Sequence, residues 1–239
     1  MLFRSPRDCL VKKAESTMKN KIAILAASFI CLNVTQAAEL AGWDIPTGTN
    51  PTGSTVSFMR AAAGVTASSI TLGSGLATNS STSSSRWNLT SFGDTPSGQS
   101  ATIANASNNF IAFNLTANTG YNLKISGVGS LQFGSSGTGP QAWSLLYSSN
   151  STFSSFTVIT NAGNTGSTYI SSASGGTYNY GTNFNDALSN NPINVPEGST
   201  AYFRIVGWNT FNTNSGSVTN SGSGTGGMVG NLKIGRAHV

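Results

Sequence analysis

Short apolar stretches alternate along most of the chain with turns rich in Ser, Thr, Asn and Gly. Inside these stretches the apolar side chains recur at every second position, which is the period of a strand with one buried face. Three stretches show the alternation best: NFIAFNLTA aligns Ile111, Phe113 and Leu115, GYNLKIS aligns Tyr121, Leu123 and Ile125, and AWSLLYS aligns Trp143, Leu145 and Tyr147. The pattern predicts strands that each bury one face.

The segment AYFRIVGW carries large side chains on both faces. Phe203 and Ile205 share one face, and the opposite face holds Tyr202, Arg204, Val206 and Trp208. Further strands are predicted in STVSFMR, SSITLG, GSLQFG, TFSSFTVIT and residues 228–234, and no window has a helical period. Strands at a spacing of roughly 8–12 residues, with turn residues between them, are typical of a β-sandwich. We therefore predict an all-β fold, a single antiparallel β-sandwich.

Two low-complexity segments interrupt the predicted strands, TNSSTSSS (78–85) and NTNSGSVTNSGSGTGG (212–227). A linker to a second domain would need a second set of hydrophobic residues beyond it, and this chain is too short to hold one. Both segments are therefore interpreted as long surface loops of one domain that spans residues 38–234.

The first 37 residues form a leader of different character. Residues 18–37 combine a basic start, a short apolar run and a small-x-small site, which is the pattern of a signal peptide cleaved after Ala37. Translation can begin at Met18 instead of Met1, which would make the upstream extension spurious. The cysteines precede the cut, at Cys9 and Cys31, so the body has no disulfide. We expect a secreted or cell-surface protein whose mature chain has no membrane span.

Charge is unevenly distributed along the chain. The formal net charge is +5 and the isoelectric point is about 9.4, but eight of the twelve basic residues lie in the first 21 or the last seven positions. Between Ala38 and Leu232 there are four basic and five acidic residues, so the body is nearly neutral. Binding to a phosphate backbone needs clustered Lys and Arg, and nucleic acid is therefore not an expected partner.

Residues suited to catalysis are scarce. The single histidine is His238, while a nucleophilic Ser needs a base beside it and zinc sites need Cys or His ligands. The glycine-rich GSGTGG (222–227) lacks the following helix and Lys-Ser/Thr of a phosphate-binding loop. We predict that the protein is not an enzyme. A glycosidase would need two carboxyl groups facing each other across a cleft, drawn from Asp44, Asp94, Asp186 and Glu197.

Three of these acidic residues are also the candidates for a metal site. Calcium accepts oxygen ligands from carboxylates, amides and backbone carbonyls, and a structural calcium ion is the one cofactor that the composition allows. Capping of a turn is the other use for each of these side chains, which are Asp44, Asp94 and Asp186.

Tryptophans are the remaining candidates for ligand contact, because sugar-binding sandwiches stack aromatic faces on pyranose rings. Trp43 and Trp143 fall in predicted core strands. Trp87 and Trp208 lie near loops, beside Arg86 and Asn209, and these four residues are the candidate ligand-binding set. Packing in the core or at its rim is the alternative role for both tryptophans.

The body also resembles a known family, the secreted β-sandwich proteins of environmental bacteria such as Planctomycetes and Verrucomicrobia that often carry a PEP-CTERM sorting signal. The matching stretches are AGWDI (41–45), TIANASNNFIAFNLTANTGYNLKISGV, SSGTGPQAWSLLYSSNSTF, AYFRIVGW and GGMVGNLKI. The resemblance covers nearly all of residues 41–234 and implies a jelly-roll-like sandwich, export and surface retention. Gly230 stands where the family usually carries Asp, so an ion-binding role at that position is not carried over.

The last residues raise a separate expectation. IGRAHV looks like one reading frame of a common sequencing-library adapter, so residues 235–239, His238 included, are expected to be a non-native tail on a truncated chain. The function expected from these features is an exported, non-catalytic sandwich, associated with the surface or the extracellular matrix, in a structural or adhesive role. The alternative is a carbohydrate-binding module of a larger secreted protein, and the expected partners are polysaccharide or matrix.

Overall fold

A computed structural model describes residues 39–44, 53–79, 86–92, 105–135, 140–159, 168–169, 176–179, 187–210 and 226–235. The chain divides into two units, Met1–Gln36 and Ala37–Val239. Every described residue belongs to the second unit, and the architecture below is that of this unit alone.

Strands dominate the described residues. In chain order they are β1 (Glu39–Trp43), β2 (Thr55–Val56), β3 (Phe58–Ala61), β4 (Val65–Ala67), β5 (Ile70–Leu72), β6 (Ala77–Thr78), β7 (Arg86–Thr90), β8 (Phe110–Ala117), β9 (Leu123–Ile125), β10 (Gly127–Ser135), β11 (Pro140–Ser148), β12 (Thr157–Ile159), β13 (Thr168–Tyr169), β14 (Gly176–Asn179), β15 (Ile193–Val195), β16 (Thr200–Thr210) and β17 (Gly226–Gly235). Helical residues in the described part are 105–106 and 187–190. The predicted all-β fold is confirmed.

The first sheet is built around β17. Its strand order is β14-β10-β17-β1-β3. In addition, β7 pairs with β17, and β6 pairs with β7. β7 and β1 pair with different parts of β17: residues 226–229 pair with β7, and residues 232–235 pair with β1. All of these pairings are antiparallel.

The second sheet is built around β8, β16 and β11. Its order is β12-β11-β16-β8-β5-β2, with β13 also on β11 and β4 also on β8. The β11–β16 ladder is unbroken from Ser148↔Tyr202 to Trp143↔Gly207, and β16 then pairs with β8 along its other edge. A small third sheet consists of β9 and β15.

The core lies between the two large sheets, as a sandwich requires. The ring of Trp43 in the first sheet lies 4.8 Å from that of Phe113 in the second, measured between centroids. Phe113 in turn stacks on Phe203 at 5.0 Å with an interplanar angle of 11°. Offset and tilted aromatic pairs of this kind each add about 0.5–1.5 kcal/mol beyond the burial of their area. The antiparallel sandwich is therefore confirmed, while the jelly-roll connectivity stays a prediction.

The predicted alternation along the central strands is correct. Nine of the predicted inward residues belong to one buried cluster, namely Ile111, Phe113, Leu115, Leu123, Ile125, Trp143, Leu145, Phe203 and Ile205. Tyr121 is the exception, because it precedes β9 and is only half-buried. Tyr147 is half-buried and packs against the same cluster. Period-2 alternation identified these faces because successive strand side chains point to opposite sides of a sheet.

The outer face of the second sheet carries a smaller apolar cluster. Leu146, Val206, Phe110 and Phe153 are buried there, with Phe156, Val158, Ala112 and Tyr202 packed against them. Phe153 comes from the segment between β11 and β12, so this segment covers the outer face of the sheet. The prediction of a strand through TFSSFTVIT is correct only for Thr157–Ile159, because residues 149–156 form a turn that packs on the sheet instead.

Candidate functional site

The tryptophans with described side chains are core residues. Trp87 is fully buried, and its indole N–H donates a hydrogen bond to the Gly53 carbonyl at 3.0 Å. Trp43 donates in the same way to the Ser68 carbonyl at 2.8 Å, and Trp143 is buried as well. A side chain with no exposed face cannot stack on a sugar, so Trp87 is withdrawn from the candidate ligand-binding set and takes the packing role instead.

The other three candidates of that set have described backbones only. Arg86 pairs with Val229 in the first sheet. Trp208 pairs with Ala142 in the second sheet, and Asn209 follows it in β16. The orientations of these three side chains lie outside the described part of the chain. Ligand contact by them stays a prediction.

The proposed calcium ligands are not brought together in the described residues. Asp44 is half-buried after β1, whereas Asp94 and Asp186 lie outside the described ranges. Across the ranges that are described, no three Asp, Glu, His or Cys side chains cluster in a way that could hold a metal ion. The calcium site therefore stays a prediction from the sequence.

One ionic cluster joins three neighbouring strands of the first sheet. Arg60 in β3 contacts Glu39 in β1 through two nitrogens, with Nε–Oε1 at 2.5 Å and Nη2–Oε2 at 3.2 Å. Lys233 in β17 approaches the same carboxylate, with Nζ–Oε2 at 3.5 Å. The hydrogen bond and charge of Glu39 raise the pKa of Arg60. The cluster is partly exposed, so its contribution to stability is small.

Arg204 forms a second charged site, on the outer face of the second sheet. Its guanidinium carbon lies 3.9 Å from the ring centroid of Phe110 and 4.0 Å from that of Phe153. Nη1 donates a hydrogen bond to Asn105 Oδ1 at 2.8 Å. Burial lowers the pKa of Arg204, although a guanidinium remains charged at neutral pH. Arg204 thus fastens the segment that carries Phe153 to the sheet.

That segment is also held by a network of local hydrogen bonds. Asn150 Oδ1 accepts bonds from the Thr152 backbone N–H and from the Thr152 hydroxyl, both at 2.8 Å. The Ser148 hydroxyl donates to the Ser155 carbonyl at 2.7 Å and accepts from the Asn150 N–H at 2.9 Å. Asn and Ser side chains stabilise turns by bonds of this type. The segment is a fixed element of the surface.

An open groove of about 580 Å³ lies at the end of the β11–β16 ladder. Tyr147 reaches it from the inner face of the second sheet and Tyr202 from the outer face, because the register places Ser148 opposite Tyr202 and Tyr147 opposite Phe203. Asn194 of β15, the turn at Pro196 and the polar Ser149 complete its wall. The described side chains that line the groove are all uncharged.

A second, smaller cavity of about 210 Å³ shares Tyr147 with the groove. It lies between β12, the helical residues 187–190 and β15, and its lining is mainly apolar, with Val158, Ile159 and Leu188. Tyr147 therefore separates an apolar cavity from a polar groove.

The groove was not predicted from the sequence. The strand alternation assigned Tyr147 and Tyr202 to opposite faces, which is correct, but two residues on opposite faces normally have no common site. They meet here because β11 ends and β16 begins at the same edge of the sheet. β15 and the turn after it line the groove beside them. The segment PEGST (196–200) contains the Pro and Gly that favour a turn, and nothing in it indicates a groove.

Comparison with known proteins gives no match: no family model matches the chain, and no curated protein or solved structure is significantly similar to it. Within the described ranges, no helix has the length and apolar character needed to cross a membrane.

Proposed function

We propose that the chain is an exported, non-catalytic β-sandwich that acts at the cell surface or in the extracellular matrix, in a structural or adhesive role. Export is supported by the signal-peptide pattern of residues 18–37. The resemblance to secreted sandwich proteins with PEP-CTERM signals supports the same location, and membership of that group is part of the proposal.

One observation carries the structural role: five charged side chains of the described residues contact neighbouring strands or turns within the sandwich. Glu39, Arg60 and Lys233 join three strands, and Arg204 holds the β11–β12 segment against the sheet. Glu197 accepts a hydrogen bond from the Gly120 N–H at 2.7 Å, which ties two turns together. Catalytic groups, by contrast, are held toward a cleft where they can reach a substrate. This use of charge supports a structural role for the sandwich.

A carbohydrate-binding module is the second candidate, and the groove at Tyr147 and Tyr202 is the observation that favours it. Aromatic side chains with neighbouring amides and hydroxyls are the groups that recognise sugars. The two candidates are compatible, since an adhesive protein of the matrix can hold polysaccharide.

Adhesion of living cells tests the proposal. The full chain is expressed in a non-adherent Gram-negative bacterium, and cell retention under flow is measured on a surface coated with extracellular polysaccharide. We expect more retained cells than with an empty vector or with a variant lacking residues 1–37, which keeps the sandwich but not the leader. Equal retention in all three strains would contradict an adhesive role outside the cell.

A further inference from the structure

The groove beside Tyr147 and Tyr202 has the chemistry of a site for neutral sugars. Ser149, Asn194 and the half-buried Tyr147 and Tyr202 line it, and their side chains carry hydroxyl, amide and aromatic groups. Its volume of about 580 Å³ falls within the range of ~300–1,000 Å³ that is usual for ligand sites. Such a groove can contact a sugar ring through tyrosine and hydrogen-bond to sugar hydroxyls, and none of the described residues that line it is charged.

Polar groups in the groove are available for a ligand. Asn194 is exposed, and its side-chain amide has no hydrogen-bond partner among the described residues. The hydroxyls of Tyr147 and Tyr202 likewise have no partner within the described ranges. An amide supplies both a donor and an acceptor, and a phenol hydroxyl can serve as either. Sugar hydroxyls, which are donors and acceptors at once, match this set.

Hydrogen bonds among the described residues hold the backbone of two walls of the groove. The turn at its wall is closed by the Ser199 N–H, which donates to the Pro196 carbonyl at 2.9 Å. The Gly198 N–H donates to the Ala117 carbonyl at 2.9 Å, which fixes the turn to β8. On the opposite wall, Ser149 is flanked by the Ser148 and Asn150 hydrogen bonds described above. A preformed wall reduces the entropy cost of binding.

We propose that this groove binds a neutral polysaccharide chain, with Tyr147 and Tyr202 contacting sugar rings and Asn194 hydrogen-bonding to sugar hydroxyls. The inference rests on the proposed function, because it names the class of partner that the exported sandwich would hold. Charge complementarity favours a neutral glycan over an acidic one, since the described residues that line the groove include no cation to pair with a carboxylate or sulfate. The exposed Lys124, which pairs with Asn194, lies outside that lining.

Affinity electrophoresis of the purified full chain tests the site. The gels contain hydroxyethyl cellulose, galactomannan or dextran, with alginate as an anionic contrast. We expect retardation by at least one neutral polysaccharide. Loss of one hydrogen bond of ordinary strength weakens binding by roughly threefold to tenfold. Asn194→Ala is therefore expected to raise the dissociation constant by about fivefold, and Tyr202→Ala by tenfold or more.

Matched controls separate binding from folding. Lys124→Ala changes the exposed residue that pairs with Asn194 across the β9–β15 ladder, and Tyr121→Ala removes another half-buried tyrosine; neither residue lines the groove. Both controls should bind as the parent chain does. Melting temperatures are measured for all four variants, and Asn194→Ala, at an exposed position, decides the outcome if Tyr202→Ala unfolds.

The possible results are distinct. Retardation that persists unchanged in Asn194→Ala and in a folded Tyr202→Ala would place the site elsewhere and overturn the inference. Retardation by alginate alone would overturn the neutral class of ligand. If no polysaccharide retards the chain while cells that export it still adhere under flow, the groove proposal fails and the adhesive function stands. If the cells do not adhere while the groove variants lose polysaccharide binding, the adhesive function fails and the groove proposal stands.

Discussion

Gly64 and Gly120 show that the cost of replacing a glycine depends on the atoms around it. Their φ angles are nearly equal, +78° and +82°, both in the left-handed region that favours glycine. A Cβ added at Gly64 would overlap the ring of Tyr121, whereas no heavy atom lies within 4 Å of a Cβ at Gly120. The backbone strain is therefore the same at the two positions, and the available space differs.

We predict that Gly120→Ala lowers the free energy of unfolding by about 1–2 kcal/mol, the usual cost of a left-handed alanine. Gly64→Ala should cost that amount plus about 1–3 kcal/mol for displacing Tyr121. Urea denaturation of both variants measures the difference. Equal midpoints would show that Tyr121 moves aside freely.

Arg204 is the second residue whose role can be tested alone. It contributes two cation–π contacts and one charge-assisted hydrogen bond. We predict that Arg204→Met costs about 1–3 kcal/mol. Arg204→Lys should cost nearly as much, because an ammonium cannot lie flat between two rings. Denaturant midpoints test both variants.

Arg60→Ala is the control for Arg204, since Arg60 is a more exposed arginine in an ion pair. Its midpoint should remain close to that of the parent chain. If Arg60→Ala lowers the denaturant midpoint as much as the Arg204 variants do, net charge determines stability, and not the stacking of Arg204 between Phe110 and Phe153.

At the scale of elements, the β11–β12 segment depends on Asn150. Its Oδ1 accepts two hydrogen bonds from Thr152, which an Asp side chain could also accept. We predict that Asn150→Ala destabilises the sandwich by about 1 kcal/mol and speeds amide exchange in residues 150–156. Asn150→Asp should exchange at nearly the parent rate. Hydrogen–deuterium exchange compares them, and equal acceleration in both variants would show that the Asn150 amide nitrogen, not its oxygen, holds the turn.

The end of β17 is the second element with a clear test. The residues near the expected tail are part of the strand: Ile234 is fully buried and pairs with Ala41 and Val128, and Lys233 is half-buried beside Glu39. We predict that Ile234→Ala costs about 2–4 kcal/mol, whereas Lys233→Ala changes stability little. Thermal unfolding followed by circular dichroism measures both. A small loss for Ile234→Ala would show that the strand ends earlier.

The strands could be predicted from the sequence where alternation was strict, as in the segment with Ile111 and Phe113. The β11–β12 segment could not, because Phe156 and Val158 have the two-residue spacing of a strand and nothing in TFSSFTVIT marks where that strand begins. Phe153 instead has a φ of +53° and packs on the outer face of the sheet. The hydrogen bonds of Asn150 within the segment and the contact of Phe153 with Arg204 override the pattern. The contact with Arg204 depends on a residue distant in sequence.

At the scale of the whole molecule, the sandwich was predictable and the candidate site was not. Burial of Trp43 and Trp143 follows from their places in predicted core strands, whereas Trp87, which the sequence placed near a loop, is buried in β7. The groove depends on the register of β11 against β16 and on the position of β15. These contacts bring Tyr147 together with Asn194 and Tyr202, which are distant from it in the sequence. A pattern with a period of two residues indicates which face of a strand is buried, but it does not indicate which strands are neighbours.

The central claim is that this sandwich works outside the cytoplasm, and the mass of the protein in each cell fraction tests it most directly. The full chain is expressed in a Gram-negative bacterium, and intact mass spectrometry is applied to the cytoplasmic, periplasmic and medium fractions. We predict a chain that begins at Ala38, found in the periplasm or the medium. A chain that keeps Met1 or Met18 and remains in the cytoplasm would contradict the account.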